Sequence, residues 1–355
     1  MPRITAIETA IPRGIMSNLL LVRVHTDDGL VGCGETYYTP HAIAALVHDW
    51  MAARLLGADA LAIESHWRWL YERCTPFGHP GAERRALSAL DLALWDILGQ
   101  ATGQPVYRLL GGPVRESIPV YNTCGGPSYG AIQETGPAHP GWPGYGSPGK
   151  PGKLEDAWAS LNAPGELAAE LVAEGYKVVK LWPFDAAALR EIEPLWLEDV
   201  LRVDCVATLA DFRRQSGLPI AASEMLLGRK EYLQVLQAGA ADYCMVDPTW
   251  NGGISETRRV IDMAQTFNVP ATIHDCTGPL TLFAGLHLAA SSTNVVFQES
   301  VRAHVRTLYR HLVDRGPVIE QGMALVPEGP GLGTRFHDAL FVPGKHDFRR
   351  SDAAA

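Results

Sequence analysis

The chain has 355 residues, which is long enough for a barrel-sized domain together with a second, smaller domain. Hydrophobic residues make up 47% and charged residues 19% of the chain, a balance that excludes a disordered protein. The formal net charge is -9 without any basic run, which argues against nucleic acid as a partner but leaves room for a small anionic substrate, because local charge decides that.

The six cysteines are scattered, without the paired spacing of a disulfide framework or a zinc site. We therefore expect buried free thiols in a reducing cytoplasm. The first residues show no apolar run followed by a cleavage site, and apolar stretches such as 19–24 are far shorter than a membrane span. These patterns predict a cytoplasmic protein with no membrane partner.

The N-terminal third of the chain predicts an α+β domain. Strands are expected over 3–12 and 19–36, and the second stretch turns at Asp28-Gly29 as a hairpin. Helices are expected near 41–55, 62–75 and 82–101. Strands followed by helices indicate a self-contained unit over residues 1–115.

From Ile118 the pattern changes to short apolar strands that end in polar residues, with amphipathic helices between most of them. The expected strands are 118–124, 177–182, 194–199, 219–224, 242–247, 270–275 and 295–300. This alternation predicts an α/β fold, a (β/α)-barrel of the TIM type over residues 116–325. Only 11 residues, 183–193, separate the second strand from the third, whereas a parallel crossover needs about a dozen or more. We therefore predict a modified barrel that is one strand short.

Residues 125–165 are rich in glycine and proline, which predicts a long loop after the first barrel strand. Such a loop lies at the carboxyl ends of the strands, where barrel active sites are built. Its function stays open between a lid and a packing or subunit-contact loop.

Polar residues occupy the last positions of successive predicted strands, and these positions meet at one mouth of a barrel. They are Lys180, Glu198, Glu224, Asp247, His274 and Glu299. Glu198 and Glu224 provide an oxygen pair suited to Mg²⁺. Asp247 could orient His274 as a general base, and Glu299 could form a hydrogen bond at a developing oxyanion. Each residue alone is more often solvated or structural, so the prediction of a single site depends on their shared position at strand ends.

These motifs resemble those of the mandelate racemase/muconate lactonizing branch of the enolase superfamily. The similar segments span nearly the whole chain: 86–97 with 103–105 and 109–112, then 179–185, 196–199, 221–224, Asp247 with 251–253, 274–279, 298–299 and 330–333. The resemblance makes residues 1–115 a capping domain and residues 116–325 the catalytic barrel. It also implies that the C-terminal segment 326–355 returns to the capping domain.

The resemblance implies a mechanism in which Mg²⁺ binds a substrate carboxylate, a base removes the α-proton and the metal stabilises the enediolate. The implied roles are His274 as base, Asp247 as its partner, Glu299 as hydrogen-bonding group, Lys180 as electrostatic helper, and Glu198 with Glu224 as metal ligands. Trp182 stands where racemases of this branch carry a second lysine. A single base favours loss of water from a sugar acid over racemisation.

The chain departs from the family pattern between Asp185 and Pro194, where the first metal ligand is expected. Residues 186–193 have a helical pattern, and the missing unit would also carry the acid that sugar-acid dehydratases often place beside this ligand. Asp185 is a candidate substitute for the ligand.

The leading hypothesis is a Mg²⁺-dependent acid-sugar dehydratase that the missing strand impairs to an unknown extent. Three alternatives stay open: an inactive relative acting as a binding or assembly subunit, a racemase, epimerase or cycloisomerase of the same family, and a defective product whose barrel cannot close. The expected partners are a small-molecule sugar acid and further copies of the chain in a homo-oligomer.

Overall fold

The computed structural model describes residues 1–74, 76, 81–127, 150–181 and 193–354. An antiparallel sheet of four strands forms the base of the N-terminal part. Its strands are β1 (Ile4–Ala10), β2 (Leu19–Thr26), β3 (Val31–Tyr37) and β11 (Arg349–Asp352), in the order β11-β1-β2-β3. Because β11 pairs with β1, the end of the chain adds a strand to the sheet that the first residues begin. The predicted boundaries at residues 115 and 325 stay a prediction.

Helices pack against this sheet. They are α1 (Pro40–Leu46), continued through a π-helical turn (Val47–Met51) into α2 (Ala52–Leu55), then α3 (Ile63–Cys74), α4 (Ala82–Thr102) and α5 (Val106–Leu109). Glycines in β3 let α4 approach closely. A Cβ added at Gly34 would lie 1.9 Å from the carbonyl oxygen of Ala89, and one at Gly32 would lie 2.1 Å from that of Ala93. Only glycine therefore fits at these two positions of the strand.

Parallel strands form the wall of the second part. They are β4 (Ser117–Asn122), β5 (Ala221–Ala222), β6 (Tyr243–Val246), β7 (Ala271–Ile273) and β8 (Val295–Ser300), in the order β5-β6-β7-β8-β4. The last strand thus pairs with the first, as in a barrel. Single parallel bridges add two more segments, Asn122 with Val179 and Leu197 with Ile220.

The described part of the chain therefore contributes seven parallel segments to the barrel wall. Among the described residues, no strand pairing joins the segment of Val179 to that of Leu197, and the sequence predicts the shortfall of one strand between them. Residues 182–192 belong to this stretch and lie outside the described residues, so the shortfall stays a prediction. The predicted α/β architecture is confirmed.

Helices follow the parallel segments and cover the wall from outside. They are α6 (Asp156–Asn162), α7 (Pro164–Ala173), α8 (Val206–Ser216), α9 (Arg229–Gln237), α10 (Gly253–Thr266), α11 (Pro279–Ser291) and α12 (Arg302–Thr307). Short 3₁₀ turns occupy Tyr309–His311 and Asp338–Leu340. The strands β9 (Ile319–Glu320) and β10 (Met323–Leu325) pair with each other, and β10 pairs with β4 antiparallel. Nearly every residue of α11 is buried, because this helix packs against elements of both parts of the molecule, β3 and β8 among them.

The long loop predicted over 125–165 is wrong at its C-terminal end, where α6 forms and α7 begins. Asp156, the first residue of α6, is buried and accepts hydrogen bonds from the side chains of Asn122 (2.9 Å) and Arg302 (2.8 Å). These two donors lie far from Asp156 in the sequence, so local composition does not reveal them. The choice between a lid and a packing loop concerns mainly residues 128–149, which lie outside the described residues.

All six cysteines are free thiols, as predicted, but their predicted burial is wrong at two positions. Cys276 is half-buried, and Cys205 is exposed because it precedes α8 at the surface, where its Sγ lies 2.7 Å from Oγ1 of Thr208. Within the ranges that the structure describes, no helix has both the length and the apolar character needed to cross a bilayer.

Hydrogen bonds fix the N-terminal part over the carboxyl ends of the barrel strands. The Thr36 hydroxyl, at the end of β3, donates to the carbonyl oxygen of Thr249 at 2.8 Å. The indole nitrogen of Trp67 on α3 donates to the carbonyl oxygen of Gly252 at 2.7 Å. Both acceptors follow β6, so the cap covers the mouth at which the predicted site residues end their strands.

Candidate active site

The six predicted site residues lie at the carboxyl ends of the parallel segments. Lys180 follows the bridge residue Val179, Glu198 follows Leu197, and Glu224 lies shortly after β5. Asp247 and His274 directly follow β6 and β7, and Glu299 is the penultimate residue of β8. A continuous series of side-chain contacts shorter than 4 Å joins all six. The structure thus brings every predicted site residue to one mouth, while Trp182 and Asp185 lie outside the described residues.

The centre of this group is the imidazole of His274. Its Nδ1 lies 2.8 Å from Oδ2 of Asp247, while its Nε2 faces Glu224 at 3.9 Å and Glu299 at 3.8 Å. The other oxygen of Asp247 accepts hydrogen bonds from the backbone nitrogen and hydroxyl of Thr249, both at 2.7 Å. Asp247 is therefore held on both oxygens, and it fixes the ring with Nε2 directed into the mouth.

The charges around His274 determine its proton affinity. Burial alone would lower the pKa of His274, but Glu224 and Glu299 and the hydrogen bond to Asp247 raise this pKa well above its ordinary value. The surrounding carboxylates therefore stabilise the protonated form of the ring. A neutral base requires that part of the negative charge facing Nε2 be compensated.

An aromatic and cationic wall borders the same imidazole. The Trp250 ring lies 5.1 Å from the His274 ring, and its indole nitrogen donates to the hydroxyl of Thr277 at 3.1 Å. The Arg85 guanidinium, from the first turn of α4, lies 4.0 Å above the Trp250 ring. Its Nη1 donates to the carbonyl oxygen of Tyr37 at 2.9 Å. The cap thereby contributes a positive charge to the edge of the site.

Neither Arg85 nor Trp250 is predicted from the sequence. The strand-end pattern points only to residues on the barrel strands, whereas Arg85 reaches the mouth from a cap helix. The position of Trp250, three residues after Asp247, is a signal that could have found it.

The second centre of the site is the ammonium group of Lys180. Its Nζ contacts Oε1 of Glu198 and lies 3.0 Å from Oε1 of Glu299. Burial by itself would lower the pKa of Lys180, but these two carboxylates raise it well above its ordinary value. Burial would likewise raise the pKa of Glu299, yet Lys180 and His274 hold it below its ordinary value. The ammonium therefore stays charged and balances part of the negative charge in the mouth.

The described residues around the mouth do not by themselves fit a Mg²⁺ ion held by three carboxylates. Glu198 and Glu224 are the oxygen donors that Mg²⁺ takes in proteins. Both oxygens of Glu198 are already engaged, one by Lys180 and the other by the indole nitrogen of Trp196 at 3.3 Å. In the part of the chain that the structure describes, no three His, Cys, Asp or Glu side chains form a group that could hold a metal. The predicted Mg²⁺ ligands Glu198 and Glu224 stay a prediction.

Both parts of the chain match families of known proteins. Residues 2–111 match the family described as "Mandelate racemase / muconate lactonizing enzyme, N-terminal domain", and residues 182–340 match "Enolase C-terminal domain-like". A D-galactonate dehydratase of Ralstonia nicotianae is 30% identical over 351 residues, covering 91% of this chain and 90% of the relative. An arabinonate dehydratase of Saccharolobus solfataricus is 27% identical, covering 91% of this chain and 89% of the relative.

Solved structures resemble the chain over its whole length. An enolase protein from the environmental genome shotgun sequencing of the Sargasso Sea has a TM-score of 0.84 and 33% sequence identity, covering 100% of both chains. An enolase of the mandelate racemase subgroup from Agrobacterium tumefaciens has a TM-score of 0.78 and 34% identity, covering 99% of both chains.

Proposed function

The chain belongs to the enolase superfamily, in its mandelate racemase/muconate lactonizing branch, and on this premise we propose that it removes the α-proton of a sugar-acid carboxylate and eliminates water. The names of the relatives support a sugar-acid dehydratase in general, since they include galactonate and arabinonate dehydratases. The sugar acid is the predicted small-molecule partner.

One observation carries the proposal, the 2.8 Å contact between Nδ1 of His274 and Oδ2 of Asp247. With Nδ1 donating its proton to Asp247, the lone pair of a neutral imidazole lies on Nε2, which is the nitrogen directed into the mouth. His274 is thereby arranged as a base on one face of a bound substrate. Removal of the α-proton from that face leaves the electron pair of the C–H bond in an enediolate.

The elimination step has a proton balance that these residues can meet. The β-hydroxyl leaves as water, and the protonated imidazole of His274 can supply the proton that it needs. The enol that remains tautomerises to the 2-keto acid. Lys180 contributes a fixed positive charge, and such preorganised charge stabilises developing oxyanions in a buried site.

Members of the enolase superfamily generally use Mg²⁺. For this chain, dependence on Mg²⁺ stays a prediction, and no step above runs through a metal, because the described residues do not fit one in the manner of the family. The predicted homo-oligomer and cytoplasmic location likewise stay predictions.

The test is incubation of the purified protein, with and without Mg²⁺, with a panel of aldonic acids in deuterium oxide. Formation of a 2-keto acid, together with its loss in His274→Asn, would support dehydration by this base. His311→Gln is the matched control, because His311 is an exposed histidine of the same barrel. Full activity of His274→Asn would contradict the proposal.

The same experiment separates two of the remaining alternatives. Exchange of the α-proton for deuterium with inverted configuration and without loss of water would favour a racemase or epimerase. The absence of both exchange and product on every acid would favour a non-catalytic binding subunit.

A further inference from the structure

Two carboxylates from different parts of the barrel wall converge on one ammonium group. Lys180 lies on the segment that bridges to β4, Glu198 on the segment that bridges to Ile220, and Glu299 on β8. Nζ of Lys180 contacts Glu198 and lies 3.0 Å from Oε1 of Glu299. All three side chains are at most 15% exposed, so the group is largely buried.

Backbone hydrogen bonds hold the segments of Lys180 and Glu198 against their neighbouring strands. The amide nitrogen of Lys180 donates to the carbonyl oxygen of Asn122 at 3.1 Å, which ties it to β4. On the other side, the amide nitrogen of Leu197 donates to the carbonyl oxygen of Pro219 at 2.8 Å. The contact between Lys180 and Glu198 therefore joins the two segments whose predicted strands are separated by only 11 residues in the sequence.

The second oxygen of each carboxylate is also engaged. Oε2 of Glu198 accepts from the indole nitrogen of Trp196 at 3.3 Å, and Oε2 of Glu299 accepts from the backbone nitrogen of Asp275 at 3.2 Å. A divalent cation would have to replace the ammonium on Oε1 and compete with neutral donors on Oε2. An ammonium is a compact point charge with three donors, which suits two carboxylates from opposite sides.

We propose that Lys180 is the resident cation of this site, and that it excludes a divalent cation from Glu198 and Glu299. The inference concerns cation binding and does not depend on the proposed reaction. It predicts that removal of the ammonium exposes two buried carboxylates close together, with Glu224 near by, and so creates a divalent-cation site where the native chain has none of high affinity.

The test is titration with Mn²⁺, a hard divalent ion that can be followed by electron paramagnetic resonance of the free ion. We expect native protein to bind Mn²⁺ no more tightly than about 1 mM. Lys180→Met should bind at least about tenfold more tightly, which corresponds to about 1.4 kcal/mol. Lys177→Met is the matched control, because Lys177 is an exposed lysine three residues earlier, and it should bind like the native protein. Adding Glu198→Gln to Lys180→Met should abolish the gain.

Stoichiometric binding of Mn²⁺ to the native protein at micromolar concentration would overturn the inference, as would a Lys180→Met variant that folds and gains no affinity. Circular dichroism melting shows whether that variant folds. Should it not fold, Glu198→Gln in the native chain decides: unchanged weak binding supports the inference, and a loss of Mn²⁺ affinity overturns it. Because no turnover is measured, failure here is distinguishable from failure of the proposed dehydratase activity.

Discussion

The carboxylate of Glu35, on the cap strand β3, lies at the first turn of α11 in the barrel, where its Oε1 accepts hydrogen bonds from the backbone nitrogen (2.8 Å) and hydroxyl (2.9 Å) of Thr281. Its Oε2 is buried without a hydrogen-bond partner among the described residues. Burial consequently outweighs the hydrogen bonds from Thr281 and raises the pKa of Glu35 to about 8. At neutral pH the folded chain therefore keeps a proton on Glu35, at the contact between cap and barrel, that the same carboxyl group would have lost in the unfolded chain.

This proton makes stability depend on pH. Between the ordinary carboxyl pKa of 4.5 and about 8, folding takes up a proton at Glu35, so the free energy of unfolding falls as pH rises, by up to about 1.4 kcal/mol per pH unit. Above about pH 8 this contribution is lost and the dependence levels off. Glu35→Gln keeps the shape and cannot ionise. In urea unfolding at pH 5, 7 and 9, the free energy of unfolding of the variant should increase relative to that of the native chain as pH rises. A difference that stays the same at all three pH values would contradict the raised pKa of Glu35.

The buried guanidinium of Arg302 should be essential for the stability of the α6 region. It donates two hydrogen bonds of 2.8 Å to the carboxylate of Asp156, which is itself buried. Arg302→Met leaves Asp156 charged and unpaired, which should lower the free energy of unfolding by about 3–5 kcal/mol. Chemical denaturation measures the loss. Arg306→Met is the control, because Arg306 pairs with Glu174 near the surface and should cost about 0–1 kcal/mol. Equal losses in both variants would refute this account.

The dyad of Asp247 and His274 allows a nearly isosteric test. Asp247→Asn replaces the acceptor of the Nδ1 proton with an amide, which no longer selects the tautomer whose free lone pair is on Nε2. We expect exchange of the substrate α-proton to fall about 10²–10⁴-fold. The measurement is incorporation of deuterium by nuclear magnetic resonance, on an acid that the native protein turns over. Retention of the native exchange rate in a folded variant would show that Asp247 does not position the base.

Two glycine-to-alanine substitutions should have opposite effects on stability, because one glycine lies where β3 packs closely on α4 and the other faces open space. Gly34→Ala places a Cβ 1.9 Å from the carbonyl oxygen of Ala89, so strand and helix must separate, at a cost of about 1–3 kcal/mol or more. Gly165→Ala, in the first turn of α7, meets nothing within 4 Å and should stabilise by about 0.4–1 kcal/mol. Thermal melting of both variants tests the pair. An unaffected Gly34→Ala would mean that β3 and α4 pack less tightly than the 1.9 Å distance requires.

The sequence by itself was sufficient to predict the architecture, and it also singled out the side chains at the mouth. Alternating strands and helices indicate parallel units, and the period of a barrel brings strand ends together, so His274, Asp247 and Glu299 could be grouped although they lie on different strands. The 11 residues after Trp182 likewise predicted a barrel that is one strand short, and this stays a prediction because residues 182–192 lie outside the described residues. These conclusions depend on local patterns and on the length of chain between predicted elements, and both are present in the sequence alone.

Only the tertiary structure decided which groups pair. Lys180 and Glu299 are 119 positions apart, Asp156 and Arg302 are 146 apart, and Glu35 and Thr281 are 246 apart. Whether a strand-end carboxylate faces an ammonium, an imidazole or an empty space depends on side-chain directions across the whole barrel and cap. Burial then sets the charge of each group, because the cost of removing a charge from water depends on everything that surrounds it. The same strand-end pattern therefore indicates a metal ligand at Glu198, whereas the folded chain places the Lys180 ammonium against it.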